Sequence, residues 1–72
     1  MNKYYKTIES TVIIDDTAYT TYGIAYVIND TDTETIFDIS LDKSYVESIS
    51  KLLNDNSIPL VHFKDIVEDY IE

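Results

Sequence analysis

The stretch TIFDISLDKSYVESISKLL, Thr35 to Leu53, changes its hydrophobic period part-way along, and that change decides the fold class. Up to Leu41 the residues alternate in twos, with Phe37, Ile39 and Leu41 on one side and Ile36, Asp38 and Ser40 on the other, as a strand requires. From Asp42 the period lengthens. Tyr45, Val46, Ile49, Leu52 and Leu53 fall at the spacing of one helical stripe. Asp42 stands where an N-cap belongs, its carboxylate able to accept from the free amides of the first turn. Glu47 and Lys51 stand four apart in the favourable order on the opposite face.

Upstream of this junction the chain is strand-like. Residues 3–15 are rich in Tyr, Thr, Ile and Val, which suit a pleated surface, and Tyr4, Ile8, Val12 and Ile14 share one face, broken by Lys6 and Ser10. Asp15-Asp16-Thr17 reads as a turn, without the glycine that marks a tight hairpin. Ala18 to Ile28 alternates, with Tyr22, Ile24, Tyr26 and Ile28 on one face, and residues 29–34 read as a polar connection. Downstream, Asn54-Asp55-Asn56-Ser57 ends the first helix, Pro59 leads into a second, and Phe63, Ile66, Val67, Tyr70 and Ile71 form another stripe. The prediction is a single small α+β domain over residues 1–72. A three-stranded antiparallel meander is followed by two amphipathic helices packed on one face.

Composition narrows the function classes. A chain of 72 residues buries roughly 60% of the surface it exposes when unfolded, and no cysteine is present to supplement the core. An apolar fraction of 44% argues against general disorder, and no apolar run is long enough to cross a bilayer. The N-terminal residues run from Met1 to Glu9 without an apolar signal segment, so a cytoplasmic protein is expected. Fourteen acidic residues face five lysines and no arginine, giving a formal charge of −9. Such a chain repels nucleic acid and anionic membranes, and its expected partners are neutral or basic protein surfaces or a second copy of itself. No basic residue lies between Lys6 and Lys43.

Candidate chemistry is thin. Phosphate loops and nucleophile elbows need several glycines, and the single Gly23 lies inside a strand, where it marks a bulge or close packing. His62, the only histidine, shares a polar face of the last helix with Asp65, Glu68 and Asp69. With no nucleophile placed beside the imidazole, a solvated acidic face is the better reading. Asp30, Asp32 and Glu34 alternate like the opening of a calcium loop, but the sixth and twelfth positions hold Thr35 and Leu41 instead of Gly and Glu. Only weak cation binding would be expected there. Glu68, Asp69 and Glu72 fall at a helix end where the dipole favours cations. No catalytic residue, metal or cofactor is predicted.

Seven tyrosines without a tryptophan suit interfaces as well as cores. If Tyr22 and Tyr26 face the core, then Tyr5, Ile13, Tyr19, Val27 and Ile36 are expected on the other sheet face, uncovered by helices and available as a contact patch.

The chain resembles an uncharacterised family of short acidic bacterial proteins of unknown function. The resemblance rests on YTTYGI at Tyr19 to Ile24 and on Asp38-Ile39-Ser40 with Asp42. It extends through Ile58-Pro59 to His62, Asp65, Val67, Glu68 and Asp69. It implies one domain and no particular activity. From the tyrosine-rich face, the charge and the lack of catalytic equipment, a non-enzymatic interaction or regulatory module is the leading expectation. An acidic inhibitor that mimics nucleic acid on a basic protein is the alternative.

Overall fold

Two hairpin turns set the sheet, and neither uses glycine. The computed structural model describes residues 2–71. Strand β1 (Lys3–Ile14) turns through Asp15-Asp16 into β2 (Thr17–Ile28), and Asn29-Asp30 leads into β3 (Thr31–Ser40). All four turn residues have left-handed φ, between 50° and 67°, the pattern of type I′ turns, whose twist matches the strands they join. Asp and Asn visit that region more readily than other non-glycine residues. The sheet order is β1-β2-β3, antiparallel throughout, followed by α1 (Lys43–Asp55) and α2 (Leu60–Glu68). The predicted meander and helix pair are both present.

The second connection is tighter than the sequence implied. Thr31 pairs directly with Ile28, so residues 31–34 belong to β3 and the loop is two residues long. Their Thr-Asp-Thr-Glu composition disguises an edge strand, exposed along this stretch and supplying no apolar pattern.

β3 is irregular at two places. Tyr22 pairs with Ser40 and Ile24 with Ile36, so Gly23 of β2 alone opposes three residues of β3, and Asp38 within that bulge has φ 54°. The bulge undoes the alternation read from the sequence. Ile36 and Ile39 both turn to the core, while Phe37 and Leu41 are 64% and 63% exposed. Gly23 lies beneath it, and a Cβ there would run into the backbone of Ile36 and Phe37. The expected close packing at Gly23 is therefore with β3.

Asp42 caps α1, accepting from the Tyr45 N–H at 3.3 Å. The C-terminus of α1 closes in a Schellman motif: Ser57 N–H donates to Asn54 C=O and Ile58 N–H to Leu53 C=O, with Ser57 at φ 49° in the position glycine usually takes. Lys51 pairs with Asp55 and not with Glu47 as the spacing suggested. Val46, Ile49 and Leu53 of α1 and Phe63 and Val67 of α2 close over Ile24, Tyr26, Ile39 and Tyr5. The Tyr45 hydroxyl donates to the Tyr70 carbonyl at 2.6 Å, tying the chain after α2 back to the start of α1.

Candidate interaction surface

Which face of β1 meets the helices follows from its register. Tyr5 pairs with Tyr26, Thr7 with Ile24 and Glu9 with Tyr22, so the odd-numbered residues of β1 share the helix-facing side. Tyr5 is 4% exposed, its ring 4.7 Å from Tyr26 and 4.9 Å from Phe63, and its hydroxyl donates to Ile58 C=O at 2.7 Å. Burial, with Tyr26 and Glu34 nearby, pushes its pKa up to about 12. Thr7 and Ser50 share a hydroxyl hydrogen bond at 2.8 Å beneath α1.

The five predicted patch residues therefore separate. Tyr5 is a core residue and not a surface one, because β1 presents the opposite face from that expected. Ile36 packs against the core, turned inward opposite Ile24. Val27 does lie on the face away from the helices but is 1% exposed. Lys6 opposite Ala25 and Asp32 opposite Val27 pair at 3.2 Å from the flanking strands, roofing the central strand with polar side chains. Ile13 is 73% exposed on the helix-facing side, beyond the reach of the helices. Tyr19 is 42% exposed on the outer face.

Ile13 and Tyr19 belong to a projecting arm. β2 meets β3 only from Tyr22 onward, so residues 10–21 of the first hairpin extend past the rest of the sheet and help give the molecule its 42 × 24 × 19 Å outline. Along the outer face of the arm, Val12, Ile14, Tyr19 and Leu41 surround a shallow apolar depression of about 310 Å³, with the buried Thr21 and the exposed Asp38 at its margin. Thr21 is satisfied by Ser10 at 3.2 Å. The signal that could have revealed the arm is the unequal length of the strands, since the first two outrun the third.

The other edge of the sheet has a feature no sequence pattern announced. Asn54, at the end of α1, accepts from Tyr5 N–H and donates its Nδ2 to Tyr5 C=O, both at 2.8 Å. Its side-chain amide occupies the place a neighbouring strand would take. Beside it a polar groove of about 660 Å³ runs between β1 and α1, lined by Thr7, Glu9, Lys43, Glu47, Ser50 and Lys51 among others.

The acidic face on α2 is present as a surface, not as a centre. His62, Asp65, Glu68 and Asp69 are all exposed; Glu68 approaches Lys64 at 3.9 Å, and among the described residues His62 enters no ion pair. Glu72 lies outside the described residues. Asp30, Asp32 and Glu34 diverge: Asp30 is in the turn, Asp32 faces outward to Lys6, and Glu34 opposes Tyr26 on the helix side. Among the described residues no three metal-ligating side chains come together. No helix among them is long and apolar enough to cross a membrane.

Fold and surface together define a small α+β protein in which one helical layer covers part of a three-stranded meander and a hairpin arm is left uncovered. The chain belongs to a family of unknown function (DUF6514), whose model matches residues 1–72. No curated protein and no solved structure matches it.

Proposed function

We propose that this chain is a non-enzymatic protein-interaction or regulatory module that makes contact through its hairpin arm. The observation that supports this reading is the arm itself. Val12, Ile14 and Tyr19 of the hairpin gather with Leu41, from the end of β3, beyond the helical layer, leaving apolar surface in water where folding alone gains nothing from it. Tyrosine and branched aliphatic side chains supply contact area at small entropic cost. Asp38 lines the patch, and Asp15 and Asp16 form the turn next to Ile14; this negative charge favours neutral or basic partners and speeds their encounter. A cytoplasmic setting suits the reading, because a cysteine-free chain depends on no oxidising compartment.

A photo-crosslinking residue placed at Tyr19, and separately at Val61 on the exposed side of α2, tests this in cells. The expected result is discrete adducts from position 19 and none from position 61. Equal labelling from both, or no adduct from either, would overturn the assignment of the arm as the contact surface.

A further inference from the structure

The partner chemistry can be taken one step further, resting on the interaction reading above. We infer that the free edge of β1 pairs antiparallel with β1 of a second copy, joining two sheets into one of six strands about a two-fold axis at Ser10.

The argument begins at Asn54. Tyr5 gives both its N–H and its C=O to that side-chain amide, so these groups point away from β2. β1 and β2 pair without interruption from Lys3 to Ile14, so backbone direction alternates regularly along the strand. Thr7, Glu9, Thr11 and Ile13 therefore present their peptide groups to the same open edge as Tyr5. Their outward groups have no hydrogen-bond partner among the described residues. Where the edge meets an amide within its own chain, it binds that amide at both atoms. The next four positions repeat the same presentation with nothing opposite them.

The length and limits of this open stretch fix the register. At one end Tyr5 is occupied by Asn54, and at the other the strand ends in the turn at Asp15. Tyr5 and Asp15 are equidistant from Ser10. An antiparallel copy centred on Ser10 thus runs its strand out where Asn54 closes the edge, on both sides of the axis. Thr7 then opposes Ile13 of the second copy and Glu9 opposes Thr11, and each pair exchanges two hydrogen bonds, about eight across the seam. A two-fold at Glu9 would set two carboxylates face to face and direct Ile13 of the second copy against the occupied Tyr5. Centring on Thr11 would leave Thr7 unpaired.

Side chains agree with this register. On the outer face, Ile8 meets Val12 of the second copy and Ser10 meets Ser10. On the helix side, Ile13 of the second copy, exposed in the single chain, comes beside Thr7 at the groove between β1 and α1. Charge agrees as well. β1 begins with Lys3 and Lys6 and ends in Asp15-Asp16, so antiparallel self-pairing brings the acidic turn of each copy beside the basic start of the other. In a chain with only five lysines, this polarity supplies a local attraction against the repulsion of two copies at −9 each.

Light scattering coupled to size exclusion, with amide hydrogen exchange of the full chain from micromolar to millimolar concentration, tests the inference. The expected mass is twice 8.3 kDa. As dimer forms, protection should appear at Thr7, Glu9, Thr11 and Ile13, while the even-numbered amides, already bonded to β2, change little. Thr11→Pro removes an edge donor without breaking the β1–β2 ladder, and should weaken association roughly tenfold or more. If that variant does not fold, Ile13→Glu sets a further carboxylate beside Glu9 and Glu47 at the groove and should act in the same direction. A monomer throughout the range overturns the inference, as does a dimer whose odd-numbered amides stay unprotected or which Ile13→Glu leaves intact. A monomer that still crosslinks a different protein through Tyr19 would remove the self-pairing and leave the interaction reading standing.

Discussion

Replacing Gly23 by Ala should cost this small protein a large part of its stability. Gly23 has no left-handed φ, so its role is space and not conformational freedom. A Cβ at this position falls well inside contact distance of the Ile36 carbonyl oxygen, with Phe37 Cα at 3.0 Å and the Ile36 carbonyl carbon at 3.1 Å. These are backbone atoms and cannot rotate away. β3 would have to retreat by about 1 Å to recover van der Waals contact. That movement strains the Ile24–Ile36 pairing and lifts Ile36 and Ile39 from the core. Overpacking strain of about 1–3 kcal/mol and a weakened hydrogen bond of about 1 kcal/mol outweigh the gain of about 0.4–1 kcal/mol from a stiffer unfolded chain. The net loss is about 1–4 kcal/mol, against a total that scales to roughly 4–11 kcal/mol for a chain of this length. In urea, with a slope near 1 kcal/mol/M, the midpoint should fall by about 1–4 M. Hydrogen exchange should quicken first in β3 and leave the β1–β2 arm less affected. A midpoint within about 0.5 M of the parent, at unchanged slope, would refute the packing argument.

Three further outcomes follow from the same contacts. Asn54→Ala strips both partners from the Tyr5 peptide groups and should destabilise by about 1–3 kcal/mol, with faster exchange at the Tyr5 amide; unchanged stability and exchange would show that water replaces the amide freely. The Tyr5 hydroxyl titrates near 10 when unfolded and at about 12 when folded, so its contribution is intact below pH 10 and is lost as pH rises towards 12. That loss is about 2–3 kcal/mol, and Tyr5→Phe should flatten this part of the stability profile in denaturant titrations; an identical slope in the variant would contradict it. Asp30→Gly relieves a left-handed residue in the second hairpin and should raise the unfolding midpoint by an amount equivalent to about 0.5 kcal/mol, whereas a lower midpoint would mean that the Asp30 side chain makes a needed contact.

The element types were legible because hydrophobic period reports them directly: 2 through Ala18–Ile28, 3.6 from Tyr45 onward. The orientation of β1 was not. Tyr4, Ile8, Val12 and Ile14 form its more apolar face, and the natural inference is that this face is buried. The helices instead sit over Tyr5 and Thr7, and much of the apolar stripe lies on the arm. A one-residue slip exchanges the faces, and nothing within the strand itself settles which register is adopted. Ile36 was misplaced for a related reason. The bulge at Asp38 breaks the alternation, and an aspartate in left-handed conformation looks in the sequence like any other. Asn54 was invisible because its partner lies 49 residues away. Asp42, whose cap depends on a residue three positions on, was readable for the opposite reason. The exposed acidic side of α2 was equally local, since helical spacing alone places His62, Asp65 and Asp69.

The left-handed positions also bear on where the protein's electric field comes from. Among the described residues six non-glycine residues adopt positive φ, and four of them are aspartates: Asp15, Asp16, Asp30 and Asp38. With its only glycine committed to the crossing under β3, the chain fills most of its sharp bends with the next most tolerant residues, chiefly acidic ones. Part of the acidity thus coincides with the bends of the backbone. Asparagine at these four sites would carry the formal charge from −9 to −5 while keeping residues that tolerate the same bends. Shape and charge are therefore separable in this molecule, and a partner that reads its surface could be asked, one property at a time, which of the two it recognises.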